Sequence, residues 1–164
     1  MLTLIVAVNK LNYISKDNKM VWHIKEDLDF FYKTIENSNI ICGRNTWKNI
    51  QKSRLENVNV AVISTRKNTN ITDYPKIINS TNEVINFIKV SKKKNNFACG
   101  GLDVYDSFLK DKLISDFIIT EINDLSIGDK KFDINNYLNI LKYDITEIKK
   151  TVYGLIKYGK ISYF

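Results

Sequence analysis

At 164 residues the chain has the length of one ordinary domain, enough to bury roughly two-thirds of the surface that its unfolded form exposes. Hydrophobic residues make up 44% and charged residues 26%, which excludes a disordered or collagen-like chain. The formal net charge of +7 suits a nucleic-acid surface, but it equally suits the attraction of a small polyanion.

Short strands and helices alternate along the chain. Thr3 to Val8 is an apolar run with β-branched residues, the pattern of a strand buried on both faces of a largely parallel sheet. A long polar loop follows from Asn9 to about Met20. From His23 to Ile35 the apolar residues Ile24, Leu28, Phe31 and Ile35 recur at three and four positions, so one face of a helix packs on the sheet. Ile40 to Cys42 is the next strand, ending at Gly43 ahead of a helix from about Thr46 to Ile50, and Val58 to Ile63 is another.

Ser80 and Glu83 have capping-box spacing before the apolar Val84, Phe87 and Ile88, which starts a third helix. Phe97 to Cys99 leads into Gly100 and Gly101, and a helix from about Val104 to Leu109 follows. Phe117 to Ile122 is a strand. Val152 to Ile156 and Ile161 to Phe164 flank Tyr158 and Gly159 and read as a terminal hairpin. The expected fold is α/β: a predominantly parallel sheet, flanking helices and an antiparallel hairpin at the end.

No run approaches the roughly 18 apolar residues that span a bilayer, and Leu2 to Val8 is too short for a signal-peptide core. Two cysteines, Cys42 and Cys99, without a partner motif suggest neither a disulfide framework nor a zinc site. No linker or internal repeat divides the sequence. One domain over residues 1–164, monomeric and cytoplasmic, is the expectation. The basic run Lys92, Lys93 and Lys94 lies in a polar stretch and reads as a solvated loop.

Asp27 stands out by geometry. On a helix it neighbours Ile24 three positions before and Phe31 four positions after, so its carboxylate faces the sheet, where an ionised acid is costly without a partner. Two readings stand at this point: a first-turn acid favoured by the helix dipole, or a site acid that receives a ligand. Met20, Val21 and Trp22 precede it. The segment Gly43, Arg44, Asn45, Thr46 and Trp47 places a guanidinium and a hydroxyl where a strand gives way to a helix, an arrangement suited to phosphate. Gly100 and Gly101 occupy a similar junction, without the full GxGxxG fingerprint.

Together these blocks resemble the dihydrofolate reductase family, in order and spacing, over nearly the whole chain. They are Met20 to Phe31; Ile41 to Trp47 with its Gly-Arg-x-Thr-Trp; Cys99-Gly100-Gly101 with Val104 and Tyr105; and Thr120-Glu121-Ile122 followed by Gly128, Asp129 and Phe132. The resemblance implies NADPH-dependent reduction of 7,8-dihydrofolate to tetrahydrofolate, with no metal. It assigns Asp27 to the pterin 2-amino group and N3, Thr120 to supporting that acid, Trp22 to ordering a water beside it, and Tyr105 to the vicinity of the nicotinamide. It implies that Ile5, Ala7, Leu28, Phe31, Ile50, Leu55 and Cys99 line the substrate pocket. For NADPH it implies Ala7, Ile14, Met20, Gly43, Arg44, Thr46, Gly100, Gly101, Leu102 and Tyr105, with a cis peptide at the glycine pair. Ser64, Thr65 and Arg66 would hold the 2′-phosphate, and the loop from Asn9 to Lys19 would close over the cofactor.

The chain also departs from the family pattern. Val58 stands where an arginine commonly grips the folate glutamate tail, Val21 replaces a proline, Ser15 a glycine, and Leu102 and Asp103 replace small or basic residues. Arg54 and Lys52 lie near Val58 without the family spacing. Three other readings follow: a reductase of another pterin or of a pyrimidine intermediate of flavin synthesis, a catalytically silent binding module, and a basic nucleic-acid-binding domain motivated by the charge.

Overall fold

The computed structural model describes residues 1–65 and 75–164. In chain order the elements are β1 (Leu2–Asn9), β2 (Tyr13–Ser15), α1 (Lys25–Ile35), β3 (Asn39–Gly43), α2 (Arg44–Asn49), β4 (Asn59–Ile63) and β5 (Lys76–Ile78), followed by α3 (Thr81–Val90), β6 (Asn96–Ala98), α4 (Leu102–Lys110), β7 (Ile114–Ile122), β8 (Lys130–Lys131), β9 (Leu141–Lys150) and β10 (Gly154–Tyr163). Eight strands form one sheet in the order β5-β4-β3-β6-β1-β7-β10-β9. The first six in that order pair in parallel; β10 and β9 run antiparallel at the far edge.

Alternation along β1 explains its continuous apolar sequence. Leu2, Leu4, Val6 and Val8 join the core beneath α3 and α4, which contribute Val84, Phe87, Val104 and Phe108. Ile5 points to the opposite core with Tyr32 and Ile35 of α1 and Trp47 of α2. Both faces are therefore covered, as a parallel sheet requires. Ser80 caps α3 as its spacing predicts, accepting from the Glu83 backbone N–H at 3.3 Å. The Glu83 carboxylate reaches back one residue further than a capping box, to the Asn79 N–H at 2.6 Å.

The terminal hairpin is real but lies elsewhere than the sequence suggested. Tyr158 and Gly159 do not turn the chain; they sit within β10 at a bulge against β9. A Cβ on Gly159 would run into the Phe117 ring and the Asp144 carbonyl, so this glycine marks a close approach inside a sheet. The turn is at residues 151–153, where the Thr151 hydroxyl accepts from the Gly154 N–H at 3.0 Å and Val152 is 91% exposed. Within the predicted loop from Asn9 to Met20, β2 pairs with β8 as a separate two-stranded sheet.

Candidate active site

The C-terminal ends of β1, β3, β6 and β7 open on one crevice, bordered by α1 and α2 from one face and α4 from the other. That is where open α/β sheets place their ligands. A cavity of about 230 Å³ lies there. Ile5 and Ala7 of β1 contribute to its lining, and the parallel register sets Ala7 beside Thr120 of β7. Leu28 and Phe31 of α1, Ile50 after α2, and Cys99 after β6 close it with apolar surface. Ile14 and Met20 face it from the loop.

Asp27 lines this cavity and is 4% exposed, the one buried carboxylate among the described residues. Burial pushes its pKa up from the ordinary 3.8 to about 6, while the Trp22 indole N–H holds it back. That indole N–H is itself buried and makes no hydrogen bond of ordinary geometry to the described protein, so it remains a donor beside the acid. Asp27 also stands in the first turn of α1, as its sequence position predicts. Both readings of Asp27 therefore describe its place: the first turn of α1 and the wall of the cavity.

A second cavity, of about 360 Å³, continues from the first. Gly43 and Arg44 line it where β3 passes into α2, Ser64 and Thr65 where β4 ends. Thr46, Gly101 and Leu102 line both cavities and form the waist between them. The Gly100–Gly101 peptide is cis, and Gly100 has φ +98°, a conformation that side chains rarely adopt. Its carbonyl accepts from the Gly43 N–H at 2.6 Å, which ties the two glycine junctions together. An apolar pocket with one buried acid, opening into a polar channel with a guanidinium, hydroxyls and a helix start, has the chemistry for a heterocycle attached to phosphates.

Residues 1–154 match the family described as dihydrofolate reductase. The chain belongs to the dihydrofolate reductase family. The dihydrofolate reductase of Ureaplasma parvum serovar 3 is 35% identical over 134 residues, 80% of this chain and 82% of that protein. That of Mycoplasma genitalium is 26% identical over 158 residues, covering 92% of this chain and 98% of its own. Among solved structures, dihydrofolate reductase from Enterococcus faecalis, complexed with NADP(H) and RAB-propyl, superimposes with a TM-score of 0.79 over 99% of this chain and 96% of that one. At 19% identity that likeness speaks to the fold.

Most residues that the family resemblance singled out converge on the two cavities. Leu55 does not line either; it packs against the core cluster to which Trp47 and Ile50 belong. Trp22 reaches the site through Asp27 and is not part of the cavity wall. Arg66 lies outside the described residues. Tyr105 lines the first cavity, but its hydroxyl is already engaged by the Ile5 carbonyl. Near Val58, Arg54 is bound to Asp29 at 2.8 Å and stacked on Tyr32 at 4.1 Å, while Lys52 lies over Trp47.

Lys130, Asn49 and Asn18 also border the site without a sequence signal of their own, together with Asn45 of the Gly43–Trp47 segment. Asn18 fastens the loop: its carbonyl accepts from Asn49 at 2.6 Å, and its side-chain oxygen accepts from Lys130 at 2.9 Å and Asn45 at 3.2 Å. In a chain rich in Lys and Asn none of these stands out by residue type, and it is the hydrogen bonds of Asn18 that join Lys130 of β8 to Asn45 and Asn49 of α2.

Proposed function

We propose that this member of the family reduces 7,8-dihydrofolate to 5,6,7,8-tetrahydrofolate with NADPH, in the cytoplasm, as a monomer of one domain and without a nucleic-acid partner. The observation that carries the reading is the buried Asp27 at the base of an apolar cavity that continues into a polar, phosphate-suited one. The single-domain reading is supported by one sheet that takes strands from Leu2 to Tyr163. Free, buried Cys42 and Cys99 suit a reducing compartment.

Ionised Asp27 accepts hydrogen bonds from the 2-amino group and N3 of the pterin, which fixes the ring's orientation and favours protonation at N5. The proton reaches N5 through water, for which the buried Trp22 N–H beside Asp27 is a fitting anchor. Thr120 supports the acid from the adjacent strand. NADPH held in the second cavity would supply the hydride for C6, which with the proton at N5 completes reduction of the N5=C6 bond. Ile5, Ala7, Leu28, Phe31 and Ile50 hold the ring and exclude water, which strengthens every charge interaction at Asp27. Arg44, Thr46, Ser64 and Thr65, which line the second cavity, would hold the cofactor's phosphates, with the glycine pair allowing close backbone approach.

The test follows NADPH absorbance with dihydrofolate as substrate. Turnover should be present and should fall by about 10²–10⁴-fold in Asp27→Asn, the range for losing an acid–base group. Equal turnover in both proteins removes Asp27 from the mechanism. Val58, with Arg54 held by Asp29, favours a second reading in which the substrate is a pterin lacking the glutamate tail. Dihydrofolate compared with a tail-less dihydropterin separates them: a strong preference for the tailed substrate rejects the second.

A further inference from the structure

Among the described residues Lys19 and Lys130 are the cations of the site without an assigned role, and of the two Lys130 alone reaches the second cavity. It lines both cavities, at the waist where Thr46, Gly101 and Leu102 also meet them. Among the described lining residues of the second cavity the cations are Arg44 and Lys130, and Asp103 at the start of α4 opposes them with a negative charge. A dinucleotide spanning both cavities must pass its diphosphate through the waist. One guanidinium offset by one carboxylate is a poor match for that charge without a further cation.

The position of Lys130 is fixed from behind. In the β2–β8 ladder it pairs with Ser15, and the preceding Asp129 donates its N–H to the Ser15 carbonyl at 2.9 Å. The Asp129 carboxylate accepts from the Asp17 N–H at 2.8 Å. Among the described residues the ammonium gives one hydrogen bond, 2.9 Å to Asn18 Oδ1, and an ammonium has three donors. Two remain for another acceptor.

We infer that Lys130 binds the diphosphate of the nicotinamide cofactor and, through Asn18, fastens the loop of residues 9–20 over it. This rests on the cofactor use proposed above. One side chain thereby joins cofactor occupancy to loop closure: the diphosphate holds the ammonium at the waist, and the ammonium holds Asn18.

The experiment titrates NADPH and NADH by intrinsic tryptophan fluorescence into the wild-type protein, Lys130→Met, Lys130→Arg and Asn18→Ala, at low and high salt. Lys130→Met should weaken both dinucleotides by a common factor of roughly ten, the value of one charge-assisted hydrogen bond. It should also flatten the salt dependence of binding. Lys130→Arg should restore most of the affinity. Asn18→Ala, which keeps the ammonium, should lose less and keep the wild-type salt dependence. Dissociation constants within twofold of wild type in Lys130→Met overturn the inference. So does a loss confined to NADPH, which would put the contact on the 2′-phosphate, and so does a loss that arginine leaves unrepaired. Wild-type protein that binds neither dinucleotide overturns the proposed function itself, an outcome visible in the first titration.

Discussion

The Tyr105 hydroxyl donates to the Ile5 backbone carbonyl across 2.7 Å, tying α4 on one face of the sheet to β1 at the floor of the substrate cavity. Tyr105 is 4% exposed, and burial first, then the neighbouring Cys99 and Cys42 thiols, push its phenol pKa well above the usual value. The group is therefore a permanent donor whose proton is already committed. What the bond does is hold β1 to α4.

Tyr105→Phe should then leave the Ile5 carbonyl without its partner and destabilise the fold by about 1–3 kcal/mol, the cost of one unsatisfied buried group. Urea unfolding measures this directly, and an unchanged midpoint would mean that the bond contributes nothing net.

The same hydroxyl limits what Gly100 can become. A Cβ there would lie 2.9 Å from the Tyr105 oxygen, on a backbone with φ +98°. Because the tyrosine tip is anchored, it cannot swing aside at little cost. Gly100→Ala should lose about 1–3 kcal/mol from backbone strain and crowding. In a double-mutant cycle with Tyr105→Phe the two losses should fall short of additive, since deleting the hydroxyl removes the nearest clash.

Asp27 links activity to pH and to stability with opposite signs. Its folded pKa of about 6 lies above the ordinary 3.8, so between these values the native state holds a proton that the unfolded chain has released. Stability should fall as pH rises through that window, by an amount on the order of 3 kcal/mol, and stay low above it. Asp27→Asn should abolish the slope and be the more stable protein at pH 7 while losing turnover. The ionised acid is the form proposed to hold the pterin, so affinity for dihydrofolate, read as 1/KM in the rate profiles, should rise as pH passes through about 6, opposite in sign to stability. Paired thermal melts and pH–rate profiles of the two proteins check both signs; a parallel pH dependence of stability in the two would reject the buried acid as its source.

How far the sequence revealed the fold depended on how completely each element is buried. β1, β3 and β4 are covered on both faces, and their unbroken apolar runs announced them. β9 is an edge strand, mostly exposed and carrying Lys142, Asp144, Glu147, Lys149 and Lys150. Its apolar alternation, Leu141, Tyr143 and Ile145, then slips to Ile148 at the bulge opposite Tyr158 and Gly159. No period-two signal survives that slip. β5 and β2 have three residues each, too few to register as a pattern. In the site, Asp27 was legible because a carboxylate on an apolar stripe breaks a rule. Lys130 breaks none, and its role comes from strand pairing between residues 115 positions apart, Ser15 and Lys130.

The relocated hairpin turn yields its own test, because a glycine in a turn and a glycine within a sheet respond oppositely to a side chain. A Cβ at Gly159 would strike the Phe117 ring and the Asp144 carbonyl, neither of which can yield: Phe117 is 2% exposed in the core, and the carbonyl belongs to the neighbouring strand. Gly159→Ala should therefore destabilise by about 2–4 kcal/mol, as overpacking and ladder disruption combine. Val152, at 91% exposure in the actual turn, touches almost nothing, and Val152→Asn should stay within about 0.5 kcal/mol of wild type. Thr151→Ala is the sharper control, since its hydroxyl accepts from both the Tyr153 and Gly154 N–H groups and its loss should cost about 1 kcal/mol. If chemical denaturation instead found Gly159→Ala mild and Val152→Asn severe, the strands would be turning at Tyr158 and Gly159 after all.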